Sequence, residues 1–174
     1  MKKYLFALAW TVLGFFNLYA VENDSITYKL KSELDWSDFK MNPDYSDSSK
    51  IYWELTIVTY TKKVDIWFGI IKVESFAGFL RNSSWVKSEF KTDLMLDYVQ
   101  LKYEIANLYA KRAETEINKK KINAGMTRKI SKIIESYIEK MHSTLKLYDV
   151  ETDFGVNQDM IEKWKNKLIN GNIE

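Results

Sequence analysis

The sequence has no cysteine, a single histidine (His142) and a single proline (Pro43) in 174 residues. Without cysteine the protein has neither disulfide bonds nor a lipid-modified cysteine anchor. One histidine argues against an ordinary catalytic zinc site, which normally takes three protein ligands rich in histidine. None of the six glycines stands in a G-x-G arrangement. This excludes the glycine-rich turn of a dinucleotide-binding domain.

The first twenty residues have the layout of a secretory signal peptide. Lys2 and Lys3 form a positive start, an apolar run extends from Leu5 to Phe16, and a short polar exit ends at Ala20. The uncharged stretch is short for a membrane span, which needs about 20 apolar residues. A cleaved leader is therefore favoured over a retained anchor. We predict a signal peptide at 1–20, one domain at 21–174, a secreted or periplasmic location, and no stable membrane insertion after cleavage.

The charges of the expected mature chain balance. The full sequence carries 26 basic and 24 acidic side chains, and the leader removes Lys2 and Lys3. A net charge of zero provides no long-range field that favours nucleic acid or an anionic membrane. We therefore predict that nucleic acid is not a partner. The three-lysine run within residues 116–125 is interpreted as the solvated end of a helix.

Hydrophobic periodicity predicts strands first and helices afterwards. Residues 51–58 alternate with a period of two, and residues 64–80 are rich in aromatic and β-branched side chains. These two segments are expected to pair across a turn at Thr61–Lys63. Apolar spacings of three and four predict a helix at Thr92–Asn118, a second after Thr127 and a last one capped by Asn157. The segment from Tyr148 to Asn157 is expected to form a loop between the last two helices. This order indicates an α+β fold, with a small antiparallel or mixed sheet, two long helices and a short C-terminal helix.

Tyr98 and Lys102 lie four residues apart on the first predicted helix. A Tyr-x-x-x-Lys pair can transfer a proton in short-chain dehydrogenases, but the sequence lacks the nucleotide-binding glycines that accompany it there. The ordinary interpretation is that Tyr98 packs in the core while Lys102 extends to solvent. The sequence around this pair favours a third interpretation.

Four blocks in order carry a resemblance to a known family. They are "LDWSDFKMNPD" (34–44), "SWVK" (84–87), "YEIANLYAKR" (103–112) and "YDVETDFG" (148–155). This series resembles the bacterial family of predicted secreted zinc-dependent proteases, often catalogued as a domain of unknown function. That family has "L-T-W-x-D-F", "S-W-V", "H-E-Q-x-H-F-D-I" running into "L-Y-A-R", and "Y-D-x-x-T-x-H-G". The resemblance spans residues 34–164 and implies a zincin-like fold.

The same resemblance implies that the zinc site has been lost. The two histidines of H-E-x-x-H fall on Tyr98 and Lys102, the glutamate falls on Val99, and the third ligand falls on Phe154. None of these side chains holds zinc at neutral pH, and valine cannot activate a water molecule. We therefore predict a pseudoprotease with no catalytic residue, no metal and no cofactor. Residues that match the family pattern and suit a core are Trp36, Phe39, Trp85, Leu108, Tyr109, Tyr148, Gly155 and Trp164.

The expected function is non-catalytic binding or scaffolding in the cell envelope, with a peptide or an envelope protein held beside an edge strand. Lys102 is expected to place its ammonium near the vacated metal position, where it supplies positive charge to Glu104, to Asp153 or to a bound carboxylate, unless it extends to solvent. Two alternatives stay open. One is a hydrolase with atypical ligands; the other is a purely structural protein whose cleft is plugged by Tyr98, Lys102 and Phe154.

The sequence contains two weaker metal candidates. His142 lies outside the matched ligand positions, and we interpret it as a surface or satisfied helical histidine. The carboxylates of Asp97, Glu104, Glu151 and Asp153 suit calcium or magnesium in type, but they form no recognisable loop.

Overall fold

The computed structural model describes residues 25–173, so the predicted leader at 1–20 lies outside the described residues. Small antiparallel sheets precede the helices, which confirms the predicted α+β class. The elements are β1 (Ser25–Thr27), β2 (Ile51–Tyr52), β3 (Thr56–Val64), β4 (Ile71–Leu80), β5 (Trp85–Val86), α1 (Asp93–Lys119), α2 (Thr127–Glu151) and α3 (Gln158–Ile169). Short 3-10 turns join several of them. Within residues 25–173, no helix has both the length and the apolar character needed to cross a bilayer.

The larger sheet has the strand order β1-β4-β3, and both pairings are antiparallel. β4 is central and mostly buried, whereas β3 is an edge strand among the described residues. β2 and β5 form a separate two-stranded ladder. The sheet therefore leaves one long strand, β3, available for pairing along its outer side.

Helix α1 covers the part of β4 that the short strand β1 does not reach. Asn118 accepts a hydrogen bond from the Val73 backbone N–H at 2.9 Å and donates to the Val73 carbonyl at 2.9 Å. Glu114 accepts from the Ser75 N–H at 2.9 Å. Side chains of one helix thus satisfy strand groups that would otherwise be buried without partners. These bonds fix how α1 lies against the sheet.

The helix boundaries follow the capping residues. The Thr92 side chain accepts from the Met95 N–H and begins α1, and Asn157 accepts from the Met160 N–H and begins α3. The predicted bounds of α1 are each one residue away from the observed ones, and the predicted Asn157 cap is confirmed. The segment expected to form a loop from Tyr148 is helical as far as Glu151.

The predicted turn at Thr61–Lys63 is wrong, because these residues belong to β3 and the chain reverses at residues 65–70. The Asp65 side chain accepts hydrogen bonds from the backbone N–H groups of Trp67 and Phe68 at 3.0 and 2.8 Å. Gly69 adopts a φ of 62°, which suits glycine in a tight turn. The turn chemistry of Asp65 and Gly69 outweighs the strand propensity of the apolar residues between them.

The buried apolar side chains form two clusters. The main core combines the sheet with all three helices and includes Phe39, Tyr109, Tyr148 and Trp164, as predicted from the sequence. A second, smaller core lies under the β3–β4 turn and consists of Ile71, Val73, Ile117, Ile122 and Ile130. Both cores are formed by residues 26–173.

Candidate functional site

The three matched positions on α1 differ in their burial. Val99 is completely buried in the main core, so its side chain faces no solvent-accessible site. Tyr98 is 2% exposed, and the Lys102 side chain is 12% exposed. Lys102 lies one helical turn after Tyr98, with its ammonium 5.3 Å from the centre of the Tyr98 ring. The prediction that Lys102 extends freely into solvent is wrong.

Asp149 on α2 is the group that joins Tyr98 and Lys102. The Lys102 ammonium lies 2.8 Å from Asp149 Oδ1 and 2.9 Å from Oδ2. The Tyr98 hydroxyl donates a short hydrogen bond to Asp149 Oδ1. One carboxylate therefore accepts from an ammonium and a phenol on the same face of α1. We call Tyr98, Lys102 and Asp149 the polar triad.

The electrostatics of the polar triad favour a neutral tyrosine. Burial raises the pKa of Tyr98 well above its ordinary value, and the adjacent Asp149 carboxylate raises it further. Burial likewise raises the pKa of Tyr148, whose ring stacks on that of Tyr98 with 5.2 Å between centroids. Tyr98 thus remains a hydrogen-bond donor at neutral pH. A phenolate ligand for a metal is disfavoured at this position.

The loop after α2 brings the fourth matched position to the same region. Asp153, Phe154 and Gly155 have φ values of 49°, 50° and 86°. This left-handed turn lays Gly155 against the Tyr98 ring, where a Cβ atom would lie 2.9 Å from Tyr98 Cγ. Only a residue without a side chain fits so close to the ring.

The structure places the Phe154 side chain outside the polar triad. It is 55% exposed, so it does not plug a cleft beside Tyr98 and Lys102. The Phe154 backbone N–H donates to the Asp149 carbonyl at 2.8 Å, which keeps the residue close to the triad without filling it. Tyr98 and Lys102 therefore approach Asp149 through their side chains and Phe154 approaches it through its backbone. Val99, the fourth matched residue, packs into the core.

Within the described part of the chain, the structure pairs Lys102 with neither Glu104 nor Asp153, the two side chains predicted as its partners. Glu104 accepts a hydrogen bond from Gln100 at 2.9 Å, and no ion pair joins Lys102 to Asp153 among the described residues. Asp149 was missed because the segment from Tyr148 was predicted to be a loop. The signal was present in the "Y-D" pair of the fourth block, at positions 148 and 149. Extending α2 by one turn would have directed Asp149 towards α1.

The donor set does not fit the zinc ion that the resemblance implies. Both oxygens of Asp149 are engaged by Lys102, and an ammonium carries no lone pair while it is protonated. His142 Nε2 lies 3.2 Å from the Leu55 carbonyl oxygen, a hydrogen bond that identifies it as a satisfied helical histidine. Within residues 25–173, no three histidine or carboxylate side chains cluster in a way that would hold a metal ion. No catalytic step through zinc is supported by these residues.

A small open recess adjoins the polar triad. Its volume is about 230 Å³, and Lys102 and Asp149 form part of its lining. Trp53 and Leu55, just before the edge strand β3, line one side, and His142 and Lys146 on α2 line the other. Sites for cofactors and drug-sized ligands measure about 300–1,000 Å³. The recess is therefore of a size to take one or two side chains.

In comparisons with known proteins, no family model matches the chain, and no curated protein or solved structure matches it significantly. The resemblance to the zinc-dependent proteases stays a prediction that rests on the four sequence blocks.

Proposed function

We propose that the protein is an exported, non-catalytic, zincin-like domain that binds an extended peptide segment at the start of β3. The proposal combines the sequence resemblance with the geometry of the polar triad and the adjoining recess. On this view the domain is a pseudoprotease that holds a segment without cutting it, and it has a binding or scaffolding role in the cell envelope.

The observation that carries the proposal is the ion pair between Lys102 and Asp149. The ammonium lies within 2.9 Å of both carboxylate oxygens, so it neutralises the charge of Asp149 directly. It supplies positive charge to Asp149, the carboxylate that accepts from Tyr98, and its own backbone lies in α1. A site neutralised in this way has little affinity left for zinc, because a metal would have to displace a covalently attached cation.

The edge strand supports a peptide as the ligand. The outer side of β3 is unpaired among the described residues, and an extended segment can add there by backbone hydrogen bonding. The recess follows directly on this edge, beside Trp53 and Leu55. A side chain of the bound segment can enter the recess between Trp53 and the exposed Lys146. Pairing gives affinity along the strand, and the recess gives selectivity at one position.

Unfolded casein tests binding and cleavage with one reagent. The chain from Val21 onward is incubated with zinc and casein, and bound metal, casein fragments and backbone amide chemical shifts are measured together. We expect no stoichiometric zinc and no fragments, with shifts concentrated at residues 53–64 and 142–149. The matched variants are Trp53→Ala in the recess and Leu147→Ala, which is exposed on α2 outside it.

The outcomes separate the three readings of the molecule. Shifts that Trp53→Ala abolishes and Leu147→Ala preserves support peptide binding. Stoichiometric zinc with chelator-sensitive cleavage contradicts the proposal in favour of a hydrolase with atypical ligands. Absence of both shifts and cleavage contradicts it in favour of a purely structural protein.

A further inference from the structure

The turn between β3 and β4 projects three large apolar side chains into solvent. Ile66 is 94% exposed, Trp67 is 90% exposed and Phe68 is 75% exposed. We call these three residues the apolar tip. Scattered exposed hydrophobes are ordinary, but three consecutive bulky residues at the end of a hairpin form a contiguous patch. Neither the recess nor the polar triad uses them.

The apolar tip is held in place rather than left to the flexibility of a loop. The Asp65 side chain accepts from the Trp67 and Phe68 N–H groups, and the Gly69 N–H donates to the Asp65 carbonyl at 2.8 Å. These backbone N–H groups of the turn thus find their hydrogen-bond acceptors within the turn itself. The side chains of the apolar tip point outwards from a fixed backbone, so binding costs little additional conformational entropy.

The segment that follows α1 lies directly against the base of this turn. Ala124 donates to the Gly69 carbonyl at 2.9 Å, and Ile71 donates to the Ile122 carbonyl at 2.8 Å. The Lys72 ammonium donates to the Asn118 carbonyl at 2.9 Å. Residues 118–124, with the three-lysine run inside them, therefore lie alongside residues 69–72.

Positive charge is concentrated at this end of the molecule. Between residues 117 and 134 the chain carries basic side chains and no acidic one. The basic residues there are Lys119, Lys120, Lys121, Arg128, Lys129 and Lys132, and the strands add Lys62, Lys63 and Lys72. Several acids near this end are already paired: Glu116 pairs with Lys120, Glu74 pairs with Lys29 and Lys62, and Asp65 accepts from backbone groups of its own turn. Glu135 follows directly after the basic stretch. A balanced net charge thus conceals a strongly basic end.

An anionic bilayer is the surface that matches this combination. Tryptophan prefers the boundary between lipid headgroups and hydrocarbon, where its ring is buried and its N–H stays hydrated. Lysines around an inserted apolar group gain attraction to anionic headgroups. A convex tip of three side chains inserts into a fluid surface without requiring a matching groove.

We propose that the apolar tip and the surrounding lysines dock the protein onto the surface of an anionic phospholipid bilayer. Ile66, Trp67 and Phe68 enter the headgroup region while the lysine run contacts phosphate groups. The docking is peripheral and reversible, and it does not require a membrane-spanning segment. It also places the recess, which contacts the C-terminal half of α2, away from the lipid. The 25-residue length of α2 corresponds to roughly 38 Å of helix.

Vesicle co-sedimentation tests the proposal. The chain from Val21 onward contains all the described residues of both cores, and it omits the predicted apolar leader, which would bind lipid by itself. Vesicles of phosphatidylcholine are compared with vesicles of phosphatidylcholine and phosphatidylglycerol. The tip variant is Trp67→Ser with Phe68→Ser. Its matched control is Leu147→Ser with Val150→Ser, an exposed pair on the distal half of α2.

We expect the unmodified chain to bind anionic vesicles, and the tip variant to bind them more than about tenfold more weakly. The control pair should bind as the unmodified chain does. Changing Lys119, Lys120 and Lys121 to glutamine should weaken binding to anionic vesicles by about tenfold or more and leave neutral vesicles unaffected. Raising the salt concentration should act in the same direction as removing the lysines.

A second measurement keeps the test valid should the double variant fold poorly. Brominated lipids should quench part of the tryptophan fluorescence, and Trp67→Phe should lose that quenching while it still co-sediments. Unchanged quenching in Trp67→Phe, or equal binding by the tip variant and the unmodified chain, would overturn the proposal. Self-association that the tip variant abolishes would overturn it too, because the tip would then be an interface between copies of this chain.

Discussion

Replacing Lys102 by methionine removes an ammonium that lies 2.8 and 2.9 Å from the two oxygens of Asp149. The aliphatic stem stays in place, so packing changes little and the lost interaction is electrostatic. Asp149 then keeps only the hydrogen bond from Tyr98. A carboxylate that has lost its cation in a partly buried site destabilises the folded state, because it is neither fully solvated nor paired.

The magnitude follows from the exposure of the two side chains. Breaking a fully buried ion pair costs about 3–5 kcal/mol, whereas exposed pairs contribute about 0–1 kcal/mol. Lys102 and Asp149 are 12% and 21% exposed, which places the pair between these limits. We expect Lys102→Met to lower the free energy of unfolding by about 2 kcal/mol, after allowing for solvent screening.

Urea denaturation followed by circular dichroism measures this change, and a double-mutant cycle isolates the pair. Lys102→Met, Asp149→Asn and the double variant should give a coupling energy of about 1–2 kcal/mol. The matched control is Lys120→Met, whose 2.7 Å pair with Glu116 has side chains 56% and 35% exposed. It should change stability by less than about 0.5 kcal/mol. Equal effects for Lys102→Met and Lys120→Met would refute the argument that the polar triad holds a structural charge.

Further predictions concern Gly155 and the buried tyrosines. Gly155→Ala should destabilise the fold by about 3 kcal/mol in urea, because its φ is positive and the new Cβ meets the Tyr98 ring, whereas Gly125→Ala, with 3.5 Å to its nearest neighbour, should be close to neutral. Tyr103→Phe should leave thermal stability unchanged or raise it by up to about 1 kcal/mol, because the buried Tyr103 hydroxyl has no hydrogen-bond partner among the described residues; a loss above about 1 kcal/mol would contradict this. Burial raises the pKa of Tyr98, Tyr103 and Tyr148 above the ordinary 10.0, so above that pH the unfolded chain releases protons that the folded chain retains. The free energy of unfolding should then fall by about 1.4 kcal/mol per pH unit for each tyrosine. Urea titrations that show no steeper fall in this free energy from about pH 10 upward would contradict the raised pKa values.

Local signals predicted the helices well. The spacing of apolar residues placed α1 to within one residue at each end, and the predicted Asn157 cap marks the start of α3. Both depend on interactions between neighbours in the chain, which a single sequence displays directly. The strand turn was misplaced because residues 66–68 have strand propensity, and the side-chain bonds of Asp65 outweigh it.

The candidate site was predictable only in part. Tyr98 and Lys102 were identified through the resemblance, and their proximity follows from the helical repeat. Asp149 lies 47 residues beyond Lys102, and no periodicity within either helix specifies that pairing. It depends on how α1 and α2 pack, which is decided by the whole core. One alternative had Phe154 plugging the cleft, but the left-handed turn directs Gly155 to Tyr98 instead.

The division of the interior into two cores has a consequence for how the protein opens. Among the described residues, those buried in the smaller core under the β3–β4 turn are Ile71, Val73, Ile117, Ile122 and Ile130, so local unfolding there exposes far less apolar surface than global unfolding does. In deuterated water, the Ala124 amide should exchange earlier than that of Ile105, which is completely buried in the main core. The smaller core at the basic end of the molecule can thus unfold and refold locally, while the main core around the recess remains folded.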